Sequence, residues 1–195
     1  MVVCNWFLQS SLTREYHDLE WGAPVHDDRK MFEYILMECM SCGLSWTLML
    51  VKRKIFKKCF ARFDFEKVAK FTDADVERIL NTPGMIRSER KIRAMISNAK
   101  CFLKVREEYG SFSDYLWSFT GGKTFVYQSY QNGKLDVRNE LSDKIARELK
   151  RRGFKYLGSV TLYSHLQGVG IFNAHDLDCP CYRKLLKTSP TRIFK

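Results

Sequence analysis

At 195 residues, 45% hydrophobic and 28% charged with only 11 Gly and 4 Pro, the chain can build a compact core, and collagenous or disordered classes are excluded. Its 33 Lys and Arg outnumber 22 Asp and Glu, and the formal +11 favours a polyanionic partner, since each neutralised phosphate releases counterions. The longest apolar run, Leu48–Val51, is far shorter than the roughly 20 residues of a membrane helix.

The pattern predicts helices almost throughout, hence an all-α chain. Asp27 or Asp28 caps a helix with Met31, Phe32, Ile35 and Leu36 on one face. Ser45 opens a second, running through Leu48, Ile55 and Phe56 to Phe60. Thr72 to Asp75 reads as a capping box before Val76, Ile79 and Leu80, and Pro83-Gly84 ends that helix. A long helix spans about Ser88 to Tyr109, closed by Gly110, with Ile92, Met95, Ile96, Ala99, Phe102 and Leu103 inward. A shorter one follows from Ser111 to Phe119. Segment 123–139, with Asn132-Gly133, reads either as a β-hairpin or as a long loop. Helices resume over Leu141–Arg152 and Val160–Val169. The division is one domain over 1–182 and a basic, loosely held tail over 183–195.

The N-terminal Met-Val-Val-Cys-Asn-Trp has neither a basic nor an apolar leader region, so a soluble, intracellular protein with no membrane partner is expected. Seven cysteines, an odd set, argue against a disulfide framework. Cys59 and Cys101 read as core thiols, and Cys39 with Cys42, inside a helix, as packing. Of four histidines, two pair with cysteines at useful spacing. Twelve residues separate Cys4 from His17, and three separate His175 from Cys179. Such a Cys2His2 set suits tetrahedral zinc, with Cys181 competing for the place of Cys179. One ion held this way joins the chain ends and keeps no position open for catalysis.

Several motifs then carry a resemblance. Cys4-Asn5-Trp6, Tyr16-His17-Asp18 and Glu20-Trp21-Gly22 are followed by Glu38 and Gly43-Leu44-Ser45-Trp46. Gly84-Met85-Ile86-Arg87 with Lys91-Ile92, Trp117-Ser118-Phe119, and Lys150 to Phe154 come next. Tyr163, Gln167, Gly170, Asn173 and His175 complete the order. From Cys4 to about Tyr182 the chain resembles the bacterial DNA-3-methyladenine glycosylase I family.

The resemblance implies a helix-hairpin-helix glycosylase that removes 3-methyladenine from alkylated double-stranded DNA. It also implies a structural zinc on Cys4, His17, His175 and Cys179, a monomer, and a cytoplasmic place beside bacterial nucleoid DNA. Tyr16 and Trp46 would stack on a flipped base and Glu38 would hydrogen-bond it, with Trp6 and Trp21 as further walls. Leu44, beside Gly43, would fill the hole left in the duplex. Gly84 to Arg87 with Lys91 and Ile92 would form the helix-hairpin-helix turn, whose amides around Gly84–Ile86, with Arg87 and Lys91, would hold a phosphate. Against these roles stand blander ones: core packing for each aromatic and a solvated helix position for Glu38.

The chain departs from the family pattern at Cys39, Ser41 (for an amide) and Cys42, and at Thr13. Glu89 replaces a basic residue, and Ala174 an Asp before the second zinc histidine. A monofunctional glycosylase, with no lyase step and no metal in the chemistry, is the first reading. The alternative is a diverged, non-catalytic nucleic-acid-binding protein that keeps the zinc-clasped fold. A zinc hydrolase is the weakest, because four protein ligands leave no place for an activated water.

Overall fold

A computed structural model describes residues 3–127 and 136–194. A 3-10 turn, Val3–Gln9, leads into α1 (Ser11–Leu19), α2 (Asp28–Ser41) and α3 (Trp46–Cys59). After α4 (Phe65–Val68) and α5 (Asp73–Leu80) comes the long α6 (Glu89–Tyr109), then α7 (Phe112–Ser118). Strand β1 (Thr124–Tyr127) precedes α8 (Glu140–Arg151), α9 (Ser159–Gly168), α10 (Pro180–Thr188) and β2 (Thr191–Phe194).

Local signals set these limits. Asp27 caps α2 by accepting from the Lys30 amide, while Asp28 accepts from the Phe112 and Ser113 amides at the start of α7. Ser45 caps α3, and the Thr72–Asp75 capping box opens α5 as the sequence predicts. Helix α2 is the centre of the fold. It packs on α3, α6, α7 and α9, and its buried residues run from Met31 to Met40 with only Glu33 less covered. A helix apolar nearly all round belongs inside, so Glu38, the one fully buried carboxyl of that stretch, is carried inside too. Phe102 of α6 stacks on Phe112 at 4.3 Å and meets Phe32 edge-on at 5.4 Å. Each such buried ring contributes about 1.5–3 kcal/mol.

Two expectations are corrected. Segment 124–127 does not fold back as a hairpin: β1 pairs in parallel with β2, Thr124 opposite Thr191 and Val126 opposite Ile193. The Asn132-Gly133 pair lies outside the described residues. The segment from Arg183 is also no loose tail among its described residues. Pro180 starts α10, Tyr182 and Leu185 bury its apolar stripe, and β2 then docks on β1. The fold is therefore mostly helical, with one two-stranded parallel sheet among the described residues. Gly170 adopts φ +80°, and a Cβ there would lie 2.6 Å from the Gly22 carbonyl oxygen. Only glycine lets the end of α9 approach the Gly22 loop so closely.

His165 of α9 is buried, and neither ring nitrogen meets a partner among the described residues. Burial lowers its pKa from 6.5 to about 3. The unfolded chain therefore binds a proton below pH 6.5 that the folded chain refuses, and stability falls as pH drops through that window. His165→Leu removes both the stranded polar atoms and this dependence. Thermal melts should show the variant more stable at pH 7, with its advantage larger by about 2 kcal/mol at pH 5.

Candidate base pocket and metal centre

A cleft of about 300 Å³ opens beside α2, lined by Trp6, Tyr16, Trp21, Glu38, Ser41, Leu44, Trp46, Ser164 and Gln167. Every aromatic residue expected at the base thus reaches one cavity. Tyr16 lies 5.5 Å from Trp46 and 6.2 Å from Trp6 between ring centroids, and Trp6 meets Trp21 edge-on at 5.2 Å. The indole Nε1 of Trp46 is buried with no acceptor among the described residues. Glu38 is 5% exposed, and burial pushes its pKa up to about 8. At neutral pH the empty pocket therefore holds mostly a carboxylic acid, which a cation entering the cleft would drive to ionise.

Ser41 sits on the lining, but its hydroxyl donates to the Glu38 carbonyl at 2.7 Å and stays with its own helix. Leu44, 42% exposed, stands at the rim next to exposed Gly43. Ser164 and Gln167, one turn apart on α9, complete the wall. Their signal in the sequence is a pair of polar residues at i, i+3, which share one face of a helix.

Behind the aromatic wall, the side chains of Cys4, His17, His175 and Cys179 converge, with ligand atoms within 4.8 Å of one another. His17 Nε2 and His175 Nδ1 face each other at 3.1 Å, and Cys179 Sγ lies 3.7 and 3.6 Å from them. Bond lengths of about 2.0 Å to nitrogen and 2.3 Å to sulfur give tetrahedral edges of about 3.3 and 3.5 Å. The outer nitrogens are engaged as well. His17 Nδ1 meets the Asp18 carboxylate at 2.7 Å and His175 Nε2 the Trp21 carbonyl at 3.0 Å. With those nitrogens as donors, two lone pairs aim at one point, which a cation relieves.

The Trp21 carbonyl provides this support despite Ala174, and Asp176 braces Cys4 by accepting from its amide. Cys181 Sγ lies 4.0 Å from the Asp18 carbonyl and groups with His17 and Asp18 at the edge of the cluster, outside the four converging side chains. Trp21 also packs on the His175 ring at 4.6 Å, so the cluster and the pocket share a wall.

The basic residues divide into two kinds. The Gly84–Ile86 turn is partly exposed, and Arg87 beside it is open to solvent. Gly84 takes φ +78°, where a Cβ would strike Ile55 Cδ1 at 2.9 Å. Lys91 corrects the expectation of a phosphate ligand: its ammonium turns inward and donates to the Met40 and Cys42 carbonyls at 2.8 and 2.6 Å. Glu89 is offset by Arg93 at 2.7 Å. A second groove, only half visible in the basic run at 150–155, is lined by Arg90, Arg93, Arg147, Lys150 and Lys155 with no acidic residue. It contains the 154–158 turn and the bare N-terminus of α9. Cys42 Sγ joins this turn to the pocket rim, 3.8 Å from the Tyr156 carbonyl and 3.7 Å from Thr161 Oγ1.

Comparison with known proteins decides the family. A family model described as methyladenine glycosylase matches residues 6–183. The chain belongs to the methyladenine glycosylase family. It is 39% identical to DNA-3-methyladenine glycosylase 1 of Escherichia coli, across 92% of this chain and 96% of that protein. A crystal structure of a 3-methyladenine DNA glycosylase I superposes with a TM-score of 0.85 at 41% identity, covering 91% of this chain and 98% of that one. Another glycosylase I, crystallised as a variant in complex with 3-methyladenine, gives 0.85 at 32% identity, covering 91% of this chain and 95% of that one. Among the described residues no helix is long and apolar enough to cross a membrane.

Proposed function

We propose that this chain is a base-excision repair glycosylase that flips 3-methyladenine out of alkylated double-stranded DNA and hydrolyses its bond to the sugar. The observation that carries this reading is a buried carboxyl, Glu38, set in a cleft walled by Tyr16, Trp46, Trp6 and Trp21. An alkylated adenine nucleoside is cationic. Aromatic faces attract it, and an ionised Glu38 accepts from its amino group while offsetting its charge. The bond to the sugar breaks with its electron pair passing to the base, which leaves as a neutral molecule; water then adds to the cationic sugar and gives up one proton to solvent. Leu44 at the rim takes the place of the flipped base.

The metal cluster fits zinc, with Cys4, His17, His175 and Cys179 as a closed ligand set. Zinc there would tie the first turn and α1 to the segment before α10 and buttress Trp21. Four protein ligands leave it no part in hydrolysis.

The helix-hairpin-helix element in this reading is α8, the 152–158 turn and α9, in place of the 84–92 turn to which the resemblance pointed. Its groove of Arg147, Lys150 and Lys155 follows the phosphate backbone up to the pocket rim. Replacing Arg147 and Lys150 together with Ala should weaken binding to undamaged duplex and lower the slope of log affinity against log salt by about 1–2. Fluorescence anisotropy at several salt concentrations measures this. An unchanged slope places the DNA elsewhere. The reading as a whole is tested by chromatographic detection of free 3-methyladenine released from methylated duplex.

A further inference from the structure

Lys91 lies in the first turn of α6 within a run of cations, yet it behaves unlike them. Arg87, Arg90 and Arg93 are exposed, whereas Lys91 is half-buried and directs its ammonium at the end of another helix. There it donates to the Met40 carbonyl at 2.8 Å and the Cys42 carbonyl at 2.6 Å. These are among the carbonyls a helix leaves without partners at its C-terminus, where the macrodipole also favours positive charge. Two other carbonyls of the same turn are met locally: Ser41 Oγ donates to the Glu38 oxygen, and the Leu44 amide donates to the Ser41 oxygen at 2.6 Å. The end of α2 is thereby fixed one residue before Gly43 and Leu44.

We infer that Lys91 is a positioning residue for base excision, holding the end of α2 so that the Gly43–Leu44 rim is set for entry into the duplex. The inference rests on the base-excision reading above. Two of the three ammonium donors are committed to these carbonyls and the group is turned from the surface, so Lys91 is expected to add little to the counterion release that governs binding to undamaged DNA. Its effect belongs to the step in which the rim enters the stack.

The test uses Lys91→Met, with Lys91→Gln, which keeps one donor group, as the second variant should the first not fold. Single-turnover excision from methylated duplex should fall about 10- to 100-fold in Lys91→Met, as two charge-assisted hydrogen bonds are lost. The salt slope for undamaged duplex should match the native chain. In a Leu44→Ala background the same substitution should cost less than about threefold, because its effect runs through the rim. Amide exchange at Leu44 should quicken at least about tenfold as its turn loosens.

A salt slope lowered by about one, with an equal loss in both backgrounds, overturns the inference in favour of a phosphate contact. Unchanged excision and unchanged Leu44 exchange overturn it also. If the native chain itself releases no base, the excision reading fails, while the salt slope and Leu44 exchange still decide whether Lys91 holds the rim.

Discussion

Glu38→Gln is expected to cost excision while strengthening the fold. Gln keeps the shape of the side chain but cannot carry the negative charge that answers a cationic adenine. A charge-assisted hydrogen bond is worth roughly 1.5–3 kcal/mol, so excision and base binding should fall by about one to two factors of ten. Binding to undamaged duplex should stay as it is, since phosphates govern it.

Stability moves the other way, with a definite sign. Burial raises Glu38 to about 8 from 4.5, so the folded chain keeps a proton that the unfolded chain has lost above pH 4.5. The native chain therefore loses stability as pH rises from 4.5 toward 8. Gln does not titrate, so its advantage should grow by about 3 kcal/mol between pH 4.5 and 7. Denaturant melts of both chains at several pH values read this directly. A gap that does not vary with pH means that Glu38 is already ionised in the empty pocket. Intact excision in the variant means that the base binds without it.

Removal of the metal should have the second large effect. One zinc per chain is expected to co-purify. Cys4→Ala, His175→Ala or exhaustive chelation should lower stability by at least about 3 kcal/mol, or roughly 6–12 °C in melting temperature for a domain of this size. Cys181→Ser should change less, because that thiol stands at the edge of the cluster and the four converging side chains form a full ligand set without it. Whatever fraction stays folded should still excise, at a reduced rate, since Trp6 and Trp21 have lost part of their support but Glu38 has not moved. Elemental analysis and calorimetry measure both halves. A metal-free native protein with the same melting temperature contradicts the assignment.

Much of this arrangement was legible in the residues, for physical reasons. The helix starts at Asp27, Ser45 and Thr72 are local chemistry, and a cap is readable wherever it occurs. The four converging Cys and His side chains were legible as two pairs, although nothing in their spacing required the ends of the chain to meet. The parallel pairing of β1 with β2 was not legible. Four-residue strands far apart in sequence carry no local turn signal, and α10 had to bury Tyr182 and Leu185 before β2 could reach its partner.

Lys91 shows another limit. An isolated lysine in a basic run reads as a surface charge, and only the tertiary fold brings the carbonyls of α2 within its reach. The groove was half visible for a related reason. Arg151 and Arg152 stand in the same run as Lys150, but Glu148 and Glu108 occupy them, leaving Arg147, Lys150 and Lys155 for a partner. The departures at Cys39 and Cys42 also became intelligible only in space. Their thiols meet the Lys155 and Tyr156 carbonyls at 3.5 and 3.8 Å, so they pack the end of α2 onto the 152–158 turn.

The central claim is that this chain breaks a bond and does not merely hold damaged DNA. Incubating the purified protein with duplex DNA methylated at adenine N3, and following free base and strand integrity together, tests it most directly. The account predicts release of 3-methyladenine over many turnovers, with abasic sites left in uncut strands. Tight binding to the methylated duplex with no free base would contradict it.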